Sequence, residues 1–231
     1  MPRFAANLTM LFNEVPFLER FGAAAEAGFR GVEFLFPYDY PAEAIAGQLE
    51  DHGLQQALFN LPPGIWDAGE RGLAALPDRR GEFQDSVEIA LDYARTLHCP
   101  TLHVMAGLVV EEKHRSTMRE TYIDNLRFVA DACAADNISV VIEPLNDRDV
   151  PGYFLPHVDT AAEIIATVER PNIGLQFDFY HVQIMDGDLA RRLERHHDVI
   201  RHVQIAGVPE RHEPDVGEVA YSYLFELLDK L

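Results

Sequence analysis

Seven times along this chain a short apolar segment is followed by an amphipathic one, and that alternation limits the possible folds more than any other feature. The apolar segments fall at residues 4–8, 31–36, 54–60, 101–105, 139–143, 173–178 and 200–205. Helical periodicity marks the stretches at 16–27, 42–51, 81–97, 116–135, 160–168 and 189–195, and a seventh at 221–231 closes the chain. Strands separated by helix-length crossovers pair in parallel, because only a crossover returns the chain to run in the same direction. Val140, Val141 and Ile142 are apolar at successive positions, as suits a strand buried on both faces.

Two architectures satisfy this pattern. A doubly wound open sheet would carry a glycine-rich phosphate-binding turn after its first strand. Residues 7–12 (Asn-Leu-Thr-Met-Leu-Phe) contain no glycine. The α/β reading is therefore a (β/α)8 barrel of the TIM type, a single domain over residues 1–231. A full barrel has eight units and about 250 residues. The count here stops at seven, so the sequence predicts a barrel that lacks its eighth βα unit and is C-terminally incomplete. Such a barrel leaves a slot between the first and seventh strands, lined by Phe4, Ala6 and Leu8 on one side and Val203 and Ile205 on the other. The last helix, ending on Leu227, Leu228, Asp229, Lys230 and Leu231, has no glycine cap.

The charge balance narrows the partners. Thirty-eight acidic residues against 19 basic ones give a net charge of −19, which repels nucleic-acid backbones and anionic membranes. No apolar run approaches the ~20 residues of a membrane span, and residues 1–7 lack the long apolar stretch of a leader. Cys99 and Cys133 are far apart in sequence and read as small buried hydrophobes. A cytoplasmic protein is expected. An anionic substrate would need a local positive patch in so acidic a molecule. Arg71 and Arg211 are the candidates, since guanidinium grips a carboxylate bidentately.

In barrels of this kind the working side chains lie at the carboxyl ends of the strands. Glu143 follows three buried positions at the fifth strand end. Asp178 ends the sixth strand, with His181 three residues on. His202 and Gln204 are two apart on the seventh, so they share a face. Each has a bland explanation: a solvated rim carboxylate, a helix cap, a loop histidine, a polar plug. Three consecutive strands each ending on an oxygen donor are harder to dismiss. Glu143, Asp178 and Gln204 would offer hard oxygen ligands suited to Mg²⁺ or Mn²⁺. Residues 60–80 form a long connection that could pack on the surface or act as a lid. His103, at the fourth strand end, is a further pocket candidate, although it reads more readily as a core histidine.

The ordered motifs resemble the hydroxypyruvate isomerase family, within the xylose-isomerase-like barrels. The resemblance runs through Arg3–Leu8 in pattern, then Gly-Val-Glu-Phe at 31–34, Phe-Pro-Tyr-Asp-Tyr at 36–40 and Asn-Leu-Pro at 60–62. It continues with Ala-Gly-Glu-Arg-Gly at 68–72, Ile-Glu-Pro-Leu-Asn at 142–146 and Pro-Gly-Tyr-Phe-Leu at 151–155. Gln-Phe-Asp-Phe-Tyr-His at 176–181, His-Val-Gln-Ile-Ala at 202–206, and Arg-His-Glu-Pro at 211–214 complete it. The resemblance implies interconversion of hydroxypyruvate and tartronate semialdehyde (2-hydroxy-3-oxopropanoate), small anionic hydroxy-oxo acids, with a divalent metal and no nucleotide or redox cofactor. It makes Glu143 both metal ligand and catalytic carboxylate, with Asp178 and Gln204 completing three ligands and His181 and Arg211 near the substrate. A proton would move between neighbouring carbons through an enediolate, with carboxylates as base and acid.

Two departures stand against that pattern. The family's second catalytic glutamate, also a metal ligand, lies in an eighth-strand segment that would follow Leu231. Ala220 stands where the family has asparagine. The alternative within the same chemistry is a 2-oxo-tetronate isomerase acting on a four-carbon acid, although the segment at 151–155 leans towards the three-carbon one. A metal-dependent phosphodiesterase on the same barrel is disfavoured by the charge, and a non-catalytic binding protein is the remaining reading.

Overall fold

The computed structural model describes residues 2–231; Met1, the first residue of the stretch read for a leader, lies outside them. Seven strands form one parallel sheet: β1 (Ala5–Asn7), β2 (Gly31–Glu33), β3 (Gln55–Asn60), β4 (Thr101–His103), β5 (Ser139–Ile142), β6 (Ile173–Asp178) and β7 (Ile200–Gln204). Each pairs with its sequence neighbour, in the order β1 to β7, and among the described residues β7 does not pair with β1. The sheet curls into an incomplete barrel with helices outside, as the sequence predicts.

The helices are α1 (Arg20–Glu26), α2 (Ala42–His52), α3 (Arg80–Leu97), α4 (Arg115–Ala134), α5 (Val158–Val168), α6 (Phe179–Met185), α7 (Leu189–His196) and α8 (Tyr221–Leu228). Their inner faces follow from spacing. In α3, Phe83, Val87, Ala90, Leu91, Ala94 and Leu97 are buried at three- and four-residue intervals, so one stripe covers the sheet. None of the helices is long and apolar enough to cross a membrane. Both cysteines are free and buried.

Three expectations change. A helix at Phe179–Met185 was not foreseen, because it starts directly on the last residue of β6 with no loop to announce it. The final helix ends at Leu228, where Asp229 is the C-cap, rather than running to residue 231. The slot beside β1 is also partly filled. Ala6 and Leu8 are fully buried, and only Phe4 is exposed, at 45%. Its ring meets that of Phe225 at 5.3 Å, so α8 folds back across the start of β1. Val203 and Ile205, on the other side, are half-buried.

The β6–β7 pair, which carries much of the site, depends on a glycine. A Cβ on Gly174 would lie 2.7 Å from the Val199 carbonyl oxygen, so only glycine lets the strands approach where their register shifts.

Candidate active site

Glu143, Asp178 and His181 are all buried at the carboxyl end of the sheet, and one potential ligand atom from each lies within 4.8 Å of the others. One cation with ligands at ~2–2.6 Å can bridge such a spacing. The donor set is dominated by carboxylate oxygens, which suits a hard divalent ion.

Asp178 serves two structures at once. It is the N-cap of α6, and its Oδ1 accepts from the Tyr180 backbone N–H at 2.8 Å. The capping role that sequence reasoning offered as the bland alternative is therefore real, yet it uses one oxygen only. Oδ2 lies 3.6 Å from His181 Nε2 and 4.0 Å from Arg211 Nη2. Glu143 is 5% exposed. Burial first, then the neighbouring Asp178 carboxylate, push its pKa well above the ordinary value.

His181 is oriented by Asn146, whose backbone N–H donates to Nδ1 at 3.1 Å and whose Nδ2 lies 2.7 Å from the same atom. Burial holds the ring towards its neutral form. With Nδ1 as acceptor, the neutral tautomer carries its proton on Nε2. That N–H faces Arg211 Nη2 at 3.2 Å. Two donors therefore converge where an anionic oxygen would accept from both. Arg211 is held there by Asp149 (Nη1 to Oδ2, 3.2 Å) and by the Tyr180 ring, 4.8 Å below its guanidinium carbon. Its backbone adopts φ 59°, a left-handed conformation uncommon for arginine.

Arg71 is placed differently. Its guanidinium lies 3.8 Å over the Trp66 ring and donates to the carbonyls of Trp66 and Glu70, all within its own loop. That loop is stitched down at its base. Gly72, at φ 113°, bridges Ala106, the Ala75 N–H donates to the Ala106 carbonyl at 2.7 Å, and Leu73, Ala74 and Ala75 are buried. Its tip, with Ile65 63% exposed, stands in solvent.

Gln204 is the register partner of Asp178 across β6–β7. Its Oε1 accepts from Gln176 Nε2 at 2.8 Å, and its Nε2 donates to Glu33 Oε1 at 2.6 Å. His103 is buried, as expected of a core histidine, with Nδ1 3.1 Å from Asn60 Oδ1. Its Nε2 nonetheless lies 3.7 Å from Glu143 and finds no hydrogen-bond partner. Burial drives its pKa down to about 3, which keeps it neutral.

Sequence reasoning missed Asn146, Asp149, Gln176 and Glu33 as parts of this arrangement. Glu33 and Gln176 were within reach of the rule that found Glu143, since each is a polar side chain in an otherwise apolar strand. Asn146 and Asp149 lie in loops, where polar residues carry no such signal.

A family model described as xylose isomerase-like TIM barrel matches residues 21–231. The chain is 54% identical over its whole length to a 2-oxo-tetronate isomerase of Cupriavidus necator, covering 89% of that protein. It is 42% identical to the hydroxypyruvate isomerase of Escherichia coli, over 99% of this chain and 89% of that one. A crystal structure described as an AP endonuclease, family 2, from Brucella melitensis superimposes with a TM-score of 0.98 at 56% identity, covering all of this chain and 89% of the other. The chain belongs to the xylose isomerase-like TIM barrel family, among relatives named hydroxypyruvate isomerase and 2-oxo-tetronate isomerase.

Proposed function

We propose that this chain catalyses an aldose–ketose-type isomerisation of a short hydroxy-oxo acid, the pair expected from the sequence being hydroxypyruvate and tartronate semialdehyde. The observation that carries this reading is the convergence of two buried carboxylates, Glu143 and Asp178, with two N–H donors from His181 and Arg211. Glu143, Asp178 and Gln204 would hold a divalent cation, Mg²⁺ or Mn²⁺. Such an ion would supply Lewis-acid stabilisation of the substrate oxygens as negative charge develops. His181 is better suited to the substrate than to the ion, because the proton on Nε2 occupies the position a ligand's lone pair would need. Arg211, beside it, meets the carboxylate of the acid. Glu143, buried and short of compensating charge, is the group to carry a proton between neighbouring carbons. Two free cysteines fit a reducing compartment, and we place the reaction in the cytoplasm.

A second reading has a specific observation behind it. The 54% identity to a 2-oxo-tetronate isomerase exceeds the 42% to a hydroxypyruvate isomerase, which favours the four-carbon acid. The phosphodiesterase reading, raised again by the Brucella structure, runs against a net charge of −19. Turnover of both acids by the purified chain tests all three, with Mg²⁺ or Mn²⁺ present and again after chelation. Isomerisation that stops on chelation and returns with metal is expected, along with no incision of abasic duplex DNA. Inertness towards both acids, or incision of the DNA, would refute the proposal.

A further inference from the structure

Glu33 lies at the end of β2, 4% exposed, and the isomerase chemistry assigns it no part. Burying a carboxylate is costly unless each oxygen is met by a donor. Here Oε1 accepts from Asn7 Nδ2 at 3.0 Å and from Gln204 Nε2 at 2.6 Å, while Oε2 lies 2.7 Å from His202 Nε2. Asn7 is on β1, and His202 and Gln204 are on β7. One carboxylate therefore joins the two strands that flank the break in the sheet.

The bond to Gln204 also has direction. A carboxylate only accepts, so the side of the Gln204 amide facing Glu33 must be its nitrogen. The oxygen is thereby turned away, to where Gln176 Nε2 donates to it. A primary amide without such a partner can rotate by half a turn and present nitrogen, which has no lone pair for a cation. An amide oxygen has two lone pairs, and Gln176 uses one. Resting on the metal reading above, we infer that Glu33 is a positioning residue, one that fixes the Gln204 amide with its oxygen available to the cation held with Glu143 and Asp178. The rival account is mechanical: Glu33 merely clasps β1 to β7.

Mn²⁺ titration calorimetry with thermal melts separates the two. Glu33→Gln leaves one acceptor for three donors, and is expected to weaken Mn²⁺ binding about 10- to 100-fold, the usual effect of losing a partner that orients a ligand. Asn7→Ala removes the bond by which β1 reaches Glu33 without removing the one to Gln204, and should lower the melting temperature while leaving Mn²⁺ affinity unchanged. Combining Glu33→Gln with Gln204→Glu should restore binding, since a carboxylate at 204 has no wrong face. Wild-type affinity in a folded Glu33→Gln variant overturns this inference and leaves the metal reading intact. Absence of Mn²⁺ binding by the wild-type chain overturns both. Should Glu33→Gln fail to fold, a crystal structure of the Mn²⁺-loaded wild type decides: Gln204 Oε1 on the ion with Nε2 on Glu33 is expected, and a Gln204 turned off the ion refutes it.

Discussion

Glu143 and Asp178 place two carboxylates in one buried pocket, and Glu143 bears the consequence, with its pKa pushed up by burial and by its neighbour. A carboxyl whose folded-state pKa exceeds the unfolded value binds its proton more tightly when folded. Its contribution therefore favours folding at acid pH and is lost as pH rises through 4.5 towards the folded value. Glu143→Gln removes that dependence, so the metal-free variant should gain stability relative to wild type as pH is raised from acid to neutral. Parallel melts would show it, and a gap that narrows with pH would count against the assignment. The same substitution should cost turnover roughly 10²- to 10⁴-fold, the range for a general acid or base. The two arginines give a second comparison. Arg211→Ala should raise KM more than it lowers kcat, because a carboxylate clamp holds ground and transition states alike. Arg71→Ala should leave KM unchanged, since that guanidinium is committed to Trp66 and its own loop. The reverse outcome would reassign the clamp to Arg71 and give the exposed loop tip a part in binding.

Among the elements, α8 starts without a side-chain cap. Ala220 occupies the N-cap position, where the resemblance leads one to expect asparagine. Ala220→Asn should stabilise the fold by about 0.5–2 kcal/mol, which for a chain of this size is a rise of a few degrees in Tm. No change on melting would mean that water already satisfies those backbone N–H groups. The elements also show what the sequence could and could not reveal. β6 was read to its correct bounds because Ile173, Leu175 and Phe177 alternate up to a terminal aspartate, in a strand whose six residues are all buried. β2 was read three residues too long, since residues 34–36 continue the apolar pattern after the ladder with β1 has stopped. The strand-end rule found Glu143 and Asp178 because each closes a buried run. It passed over Glu33 because the apolar residues 34–36 carry the run past it, and the bonds that give it meaning come from a strand 169 residues away. The strand-end position marks His103 as a pocket candidate, but the core reading is preferred, as an apolar strand looks the same whether its histidine faces packing or a carboxylate.

At the largest scale, the governing feature is that the sheet, among the described residues, has two ends. A closed barrel gives every strand two neighbours, whereas among the described residues β1 and β7 have one each. Backbone amides on those two strands should exchange with deuterium well before those of β4 and β5, which have neighbours on both sides. Uniform protection across all seven strands would show that some other association covers the edges. The order of the strands has a further consequence. Each strand packs on the one made just before it, so the sheet can grow in step with synthesis. The bonds from Glu33 to His202 and Gln204 cannot form until β7 has emerged. Pulse-labelled refolding should accordingly protect β2 to β5 ahead of β7. A nascent chain would thus own much of its core while Glu33 still faces water, and the clasp on Gln204 would arrive in a single late event, when β7 reaches back to one of the first strands.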